Sequence, residues 1–401
     1  MSFKSDFPIL SKKIRNYPIT YLDSAASTQK PKTVIESLTN FYENSYENVH
    51  RGMNSLSISA TDQFERTREN VKDFINAKSS NEVIFTRGAT DSINIIANSL
   101  IKKFQSGGQV VITELEHHSN YLPWMKICDN SNLELKIVPV KENGIIDEQQ
   151  IIDTCNDTTK ILAITHMSNV TGQILDIKKI KSNIPDDILV ALDGCQSIAH
   201  CRIDVQDLDC DFYSFSSHKL YGPSGVGILF GKQKILEDMD PPFLGGGMIN
   251  EVTLSNFSYA DLPNKFEPGT PSIEAVIGLN ASLEYLNKIN FYNYFEEENK
   301  LRNILIERLK DIPSIQMYGT EEQMNASSIV SFNIIDKNYN DIATFLDQYG
   351  IMIRGGQHCC QPFMKKMNIP GSCRASFGIY NDIKDIDILV DSLEKTVKLL
   401  Q

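Results

Sequence analysis

The sequence predicts an α/β protein: a large, mostly parallel sheet followed by a smaller α/β unit. Short apolar runs alternate with helix-length polar segments as far as residue 230. Several of these runs end in a polar or charged side chain, as sheet strands do when their tips face a ligand. After Pro241 and Pro242 the pattern breaks into an irregular stretch, and a second, shorter series of strands and helices begins beyond it. At 401 residues the chain is longer than one hydrophobic core usually organises, so two domains are expected. Residues 21–285 would form the large one and residues 286–401 the small one, with residues 1–20 packed on the latter.

Along the chain, residues 61–78 place Phe64, Val71, Phe74 and Ile75 on one helical face, with Arg and Glu opposite, and read as a packing helix. Residues 82–85, 109–113, 135–140, 161–165 and 188–192 are apolar runs of strand length, and another leads into Ser216. Residues 226–230 return as a further strand. A helical period resumes over residues 280–308. The small unit then reads as a strand at 328–334, a helix at 341–349, a strand at 350–354 and a closing amphipathic helix at 385–400.

Composition narrows the function. Lys plus Arg number 39 against 51 Asp plus Glu, a net charge of −12 without a dense basic cluster, which argues against nucleic acid and anionic membrane surfaces as partners. The first residues have no apolar core of signal-peptide length and no later run approaches a membrane span, so a cytoplasmic protein is expected. Eight cysteines without paired Cys-x-x-Cys spacing predict free thiols in a reducing compartment and no structural zinc.

The most informative residue is Lys219, in Phe215-Ser216-Ser217-His218-Lys219. A lone loop lysine is ordinarily a surface residue, but one set between small hydroxyl residues and a Gly/Pro turn after a strand can offer a free amine to an aldehyde cofactor. Asp193, in Asp193-Gly194-Cys195-Gln196, ends the preceding strand with a carboxylate suited to pair with a protonated pyridine nitrogen. Gly88, Ala89 and Thr90 open a helix after the strand at 82–85, a place where free amides and a hydroxyl hold phosphate. Of the adjacent His117 and His118, at most one can face the site, where a flat imidazole stacks on an aromatic cofactor and moves protons. Asn169 stands at the tip of a further strand, suited to a cofactor oxygen or a substrate carboxylate, or else to a turn. Late in the chain, Arg354-Gly355-Gly356-Gln357-His358-Cys359-Cys360 offers thiols on a tight turn. Arg374 offers the planar fork suited to a carboxylate.

Together these segments resemble the fold-type I pyridoxal-phosphate enzymes, and among them the SufS-type (group II) cysteine desulfurases of the class V aminotransferase family. The resemblance runs from Tyr21-Leu22-Asp23 and Val49-His50-Arg51-Gly52 to Cys373-Arg374-Ala375-Ser376. It implies the cofactor pyridoxal 5'-phosphate, with Lys219 as its imine partner and the base for the substrate α-proton. Asp193 would then face the ring nitrogen, Gln196 the ring hydroxyl and His117 the ring face. Ala89, Thr90, Ser216 and His218 would hold the phosphate, and Thr270 would reach it from the second subunit of a homodimer. Asn169 and Arg374 would grip the carboxylate of L-cysteine. Cys359 would carry the sulfur as a persulfide, alanine would leave, and a SufE-like or SufU-like acceptor would take the sulfur for iron-sulfur cluster assembly. Cys360 departs from the family pattern as a second thiol able to accept or scramble the persulfide. A selenocysteine lyase using the same residues, an aminotransferase and a non-catalytic scaffold are the competing expectations.

Overall fold

In the computed structural model, which describes residues 3–101, 103, 104, 106–320 and 324–400, the expected sheet is present with seven strands. They are β1 (Val83–Thr86), β2 (Gly108–Thr113), β3 (Leu133–Val138), β4 (Thr159–Thr165), β5 (Leu189–Asp193), β6 (Phe212–Ser216) and β7 (Gly227–Gly231), in the spatial order β1-β7-β6-β5-β4-β2-β3. All pairings are parallel except those of β7, which is antiparallel to both β6 and β1. The reason is length. Residues 217–226 between β6 and β7 fall short of the dozen or so that a parallel crossover needs. Because β7 reverses twice, β1 runs with the other five, and the C-terminal tips of six strands share one edge. Apolar side chains bury both faces, as a helix-covered sheet requires.

Helices α1 (Lys32–Asn44), α2 (Ser55–Phe74), α3 (Ala89–Leu100) and α4 (His118–Asp129) belong to this part of the chain, and α5 (Ile273–Lys288) packs on α1 and α2. The helical period of residues 280–308 is two helices, α5 and α6 (Phe295–Lys310). A short turn separates them, and Asn290 stands in the left-handed region with φ 51°. One further expectation is corrected on α2. The helical period puts Arg68 on the polar face, yet it is among the largest fully buried side chains. Its guanidinium meets Glu267 at 2.6 Å and Glu65 at 2.8 Å and lies 4.3 Å from the Phe85 ring centroid, while Glu267 also accepts the amide of Phe85. Burial is tolerable because the charge is paired and the donors are used. Glu267→Gln is therefore expected to destabilise the fold by about 3 kcal/mol, since it leaves a buried cation without its main counter-charge; chemical denaturation measures this.

The later strands form a four-stranded antiparallel sheet, β8 (Ile315–Tyr318), β9 (Ile329–Ile334), β10 (Arg354–Gly356) and β11 (Ser372–Ser376), in the order β8-β9-β11-β10. Helices α6, α7 (Tyr339–Asp347) and α8 (Ile383–Leu400) cover it around Leu305, Phe332, Leu346 and Leu389. The strand expected at 350–354 is divided. Ile351–Met352 pairs in parallel with Thr20–Tyr21, whereas β10 pairs with β11. Within the stretch expected to be irregular, a hairpin joins Ile249–Val252 to Phe257–Tyr259. The residues before Tyr21 touch both parts of the chain. Lys4 pairs with Asp385, Asp6 accepts from Tyr285, and the Phe7 ring meets those of Tyr221, Tyr285 and Tyr380.

Candidate active site

The tips of β1, β2, β4, β5 and β6, with the turns that follow them, and the β10–β11 edge enclose a cavity of roughly 240 Å³. It collects Ala89, Thr90, His117, Asn169, Asp193, Gln196, Ser216, His218, Lys219, Cys359 and Arg374. Thr270 alone of the predicted site residues lies elsewhere, in a separate cleft with His50, Arg51 and Gly247.

At one end of the cavity, β1 turns into α3 through Gly88, whose φ of 157° and tight approach to Gly227 leave no room for a side chain on the latter. The Ala89 amide donates to Ser216 Oγ at 2.9 Å, and the Thr90 and Ser119 hydroxyls meet at 2.7 Å. The opening turn of α3 also has amides without intrahelical partners. His218 stands beside them, its pKa pushed down to about 4 by burial and then by the Lys219 charge, so it acts there as a neutral ring.

The floor is made by β5. Asp193 is buried, and its Oδ1 accepts the Cys195 amide at 3.0 Å, which fixes the carboxylate plane. Gln196 is held by its side-chain donation to the Ala25 carbonyl at 2.9 Å. Lys219 Nζ makes no hydrogen bond or ion pair among the described residues and faces the same cavity as Asp193. An amine without a partner, a buried carboxylate and a helix N-terminus in one enclosure match an aromatic aldehyde bearing a basic ring nitrogen and a phosphate, so the residues fit pyridoxal phosphate.

Above the floor, the two histidines diverge as expected. His117 lines the cavity and its Nδ1 accepts the Ser119 amide at 3.1 Å, which puts the ring proton on Nε2. Burial, with the Lys219 charge, lowers its pKa to about 4. The preceding residue, Glu116, is fully buried and accepts from Thr113 Oγ1 at 2.8 Å and Asn120 Nδ2 at 2.7 Å. Burial raises its pKa to about 8. A carboxyl whose folded pKa exceeds its unfolded value stabilises the fold fully below the unfolded pKa, and that contribution is lost as pH rises through the folded one. Glu116 should thus cost on the order of 5 kcal/mol across about pH 4.5 to 8. Glu116→Gln is expected to flatten that part of the stability profile, read from denaturation midpoints over the same range.

The far wall comes from the four-stranded sheet. Arg354 on β10 and Arg374 on β11 are direct cross-strand partners, an arrangement that repels unless neutralised. Among the described residues Asp23 is the one carboxylate paired with both, 3.1 Å from Arg354 and 3.3 Å from Arg374, which leaves an excess of positive charge at this wall of the cavity. Arg374 is buried and donates to the Asn169 carbonyl at 2.9 Å, and its Nε has no hydrogen-bond partner among the described residues. Asn169 in turn donates to the His358 carbonyl at 2.8 Å. Asp23 and Arg354 were missed as members of this wall; the contact spans most of the chain, and only the charged residue in each motif hinted at it.

All eight cysteines are free, and the two thiols of the Cys359-Cys360 pair differ sharply. Cys359 is exposed and lines the cavity. Cys360 is fully buried, its Sγ donates to the Glu114 carbonyl at 3.7 Å, and burial with the nearby Glu116 charge pushes its pKa up. His358 and Cys359 both have positive φ, 52° and 53°, a strained pair for residues with side chains. His358 Nε2 donates to the Ser372 carbonyl at 2.9 Å.

A family model described as aminotransferase class-V matches residues 20–389. The chain belongs to that family. Among class-V relatives, the cysteine desulfurase of Serratia proteamaculans is 41% identical over 400 residues, covering 99% of this chain and 98% of its own. The crystal structure of the cysteine desulfurase CsdA from Escherichia coli superposes with a TM-score of 0.91 at 34% identity, over 99% of this chain and 98% of that one. The apo cysteine desulfurase of Thermococcus onnurineus NA1 gives 0.93 at 33% identity, over 98% and 97%. The fold is that of the fold-type I enzymes. No helix among the described residues is long and apolar enough to cross a membrane.

Proposed function

We propose that the protein is a pyridoxal 5'-phosphate-dependent cysteine desulfurase that converts L-cysteine to L-alanine and keeps the sulfur as a persulfide on Cys359. The observation that carries this reading is the single cavity in which a partnerless lysine amine from one sheet faces an exposed thiol from the other. When bound, the cofactor supplies an aldehyde that condenses with amines and a ring that withdraws electrons from the α-carbon.

The chain does the rest. Asp193 would keep the pyridine nitrogen protonated and Gln196 would donate toward the ring hydroxyl. Ala89, Thr90, Ser216 and His218 would hold the phosphate, and His117 would stand at the ring face. Arg374, helped by Asn169 and Arg354, takes the substrate carboxylate and so aims the amino group at the site of Lys219. Lys219 Nζ, once displaced, removes the α-proton, and His117 Nε2 carries protons at neutral pH because its ring stays neutral. The Cys359 thiolate attacks the substrate sulfur. The new S–S bond forms as Cβ–S breaks, the electron pair stays with carbon, and protonation there yields alanine.

Thr270 lies outside this cavity in a cleft with Arg51, which supports a homodimer in which each subunit's Thr270 completes the other's phosphate site. The exposure of Cys359 supports hand-over of sulfur to an acceptor protein of the SufE or SufU kind, for iron-sulfur cluster assembly. The chain divides, in this reading, into a cofactor-binding domain over residues 21–285 and a sulfur-carrying domain over residues 286–401. Borohydride reduction of the cofactor-loaded protein tests the assignment of the amine. The expected result is a pyridoxyl mass on the peptide containing Lys219; a mark on another lysine, or none, would refute it.

A further inference from the structure

The chain places His118 against the sulfur-carrying loop from two directions. Its backbone amide, the first of α4, donates to the Cys359 carbonyl at 2.7 Å. Its imidazole Nε2 accepts the Gln361 amide at 3.2 Å. That second bond needs a lone pair on Nε2, so the ring is neutral with its proton on Nδ1; burial, which lowers the His118 pKa, favours the same state. The other ties of the loop lie to either side of Cys359: Asn169 donates to the His358 carbonyl and the His358 ring to the Ser372 carbonyl, the Cys360 thiol donates to the Glu114 carbonyl and its amide to the Gln357 carbonyl, and the Gln361 side chain donates to that of Gln357. Two consecutive non-glycine residues in the left-handed region, His358 and Cys359, persist only when surrounding bonds over-determine them.

We propose that His118 is a positioning residue: its imidazole latches the Cys359 loop to the start of α4, the helix preceded by His117. Sulfur transfer and proton transfer are thereby set in register by adjacent residues of one turn, His117 facing the cavity and His118 holding the thiol's loop. The inference rests on Cys359 as sulfur carrier. Loss of the imidazole frees the Gln361 amide and lets the strained pair relax, while the residues around Lys219 keep their bonds.

The test compares His118→Ala with His118→Gln, whose amide oxygen reaches about as far as Nε2 and accepts the same N–H. Amide hydrogen exchange of the peptide spanning Gln361 should accelerate about fivefold in the alanine variant and return near the native rate in the glutamine variant. In single turnovers with L-cysteine, persulfide formation on Cys359 should fall by a similar factor in the alanine variant and recover in the glutamine variant. Exchange of the L-alanine α-proton with D₂O, which needs Lys219 and no thiol, should stay unchanged in both. Native loop exchange in His118→Ala, failure of His118→Gln to rescue, or an α-proton exchange that falls in parallel would each overturn the latch. Absence of persulfide in the unaltered protein would instead sink Cys359 as carrier, and loop exchange would still report on the latch.

Discussion

Cys359→Ser is expected to abolish persulfide formation and to lower alanine production from L-cysteine by at least about 10³-fold, because Cys359 is the exposed thiol of the cavity, whereas burial pushes the pKa of Cys195, which also lines it, up to about 12. Cys360→Ser is expected to retain roughly half or more of the native rate. The two positions are neighbours in sequence but face opposite ways. The positive φ at Cys359 turns its side chain to the cavity, while Cys360 is fully buried and donates to the Glu114 carbonyl. A buried thiol whose pKa is raised offers little thiolate. Serine in place of Cys360 keeps a donor for Glu114. Paired assays of alanine and protein-bound sulfane sulfur on the two variants separate these outcomes, and persulfide retained by Cys359→Ser protein would reverse the assignment.

Lys219→Ala is expected to reduce alanine formation by about 10³-fold or more, since the variant loses both the amine that holds the aldehyde and the base for the α-proton. The fold should survive. Lys219 Nζ makes no hydrogen bond among the described residues, and the turn it occupies is tied by other atoms: the Leu220 and Gly222 amides to the Ser217 carbonyl, and the Thr28 amide and hydroxyl to the His218 carbonyl. Cofactor should still enter, held by Asp193 and the α3 end, but without a covalent link. Absorbance and borohydride trapping check this alongside the rate, and near-native turnover would contradict the role of Lys219.

Much of this site was legible because strands advertise their own ends. Apolar runs stopping at Thr113, Thr165, Asp193 and Ser216 located the tips, and the residue types that follow each tip, ordinary when taken singly, pointed to a ligand when taken together. What resisted was non-local. Asp23 sits between Arg354 and Arg374 across more than 300 positions of chain, and nothing near Asp23 in sequence announces that pairing. Arg68 looked solvated by periodicity alone; its burial depends on Glu267, nearly 200 positions away. The apolar run at 350–354 has no breaker, so its division between two pairings follows from which neighbour strand is within reach. The hairpin at Ile249–Val252 escaped because its residues are mostly exposed and lack strict alternation. Thr270 was named from family likeness, and its place in a separate cleft is outside what any local pattern shows.

The central claim is that an amine at a strand tip of the larger sheet and a thiol on a loop of the smaller one work on the same substrate. A single turnover with ³⁴S-labelled L-cysteine, quenched and digested, tests it most directly. One heavy sulfur per alanine formed, located on Cys359, is the predicted result. Heavy sulfur on Cys360 or Cys195, or alanine released with no sulfur retained by the protein, would contradict the account.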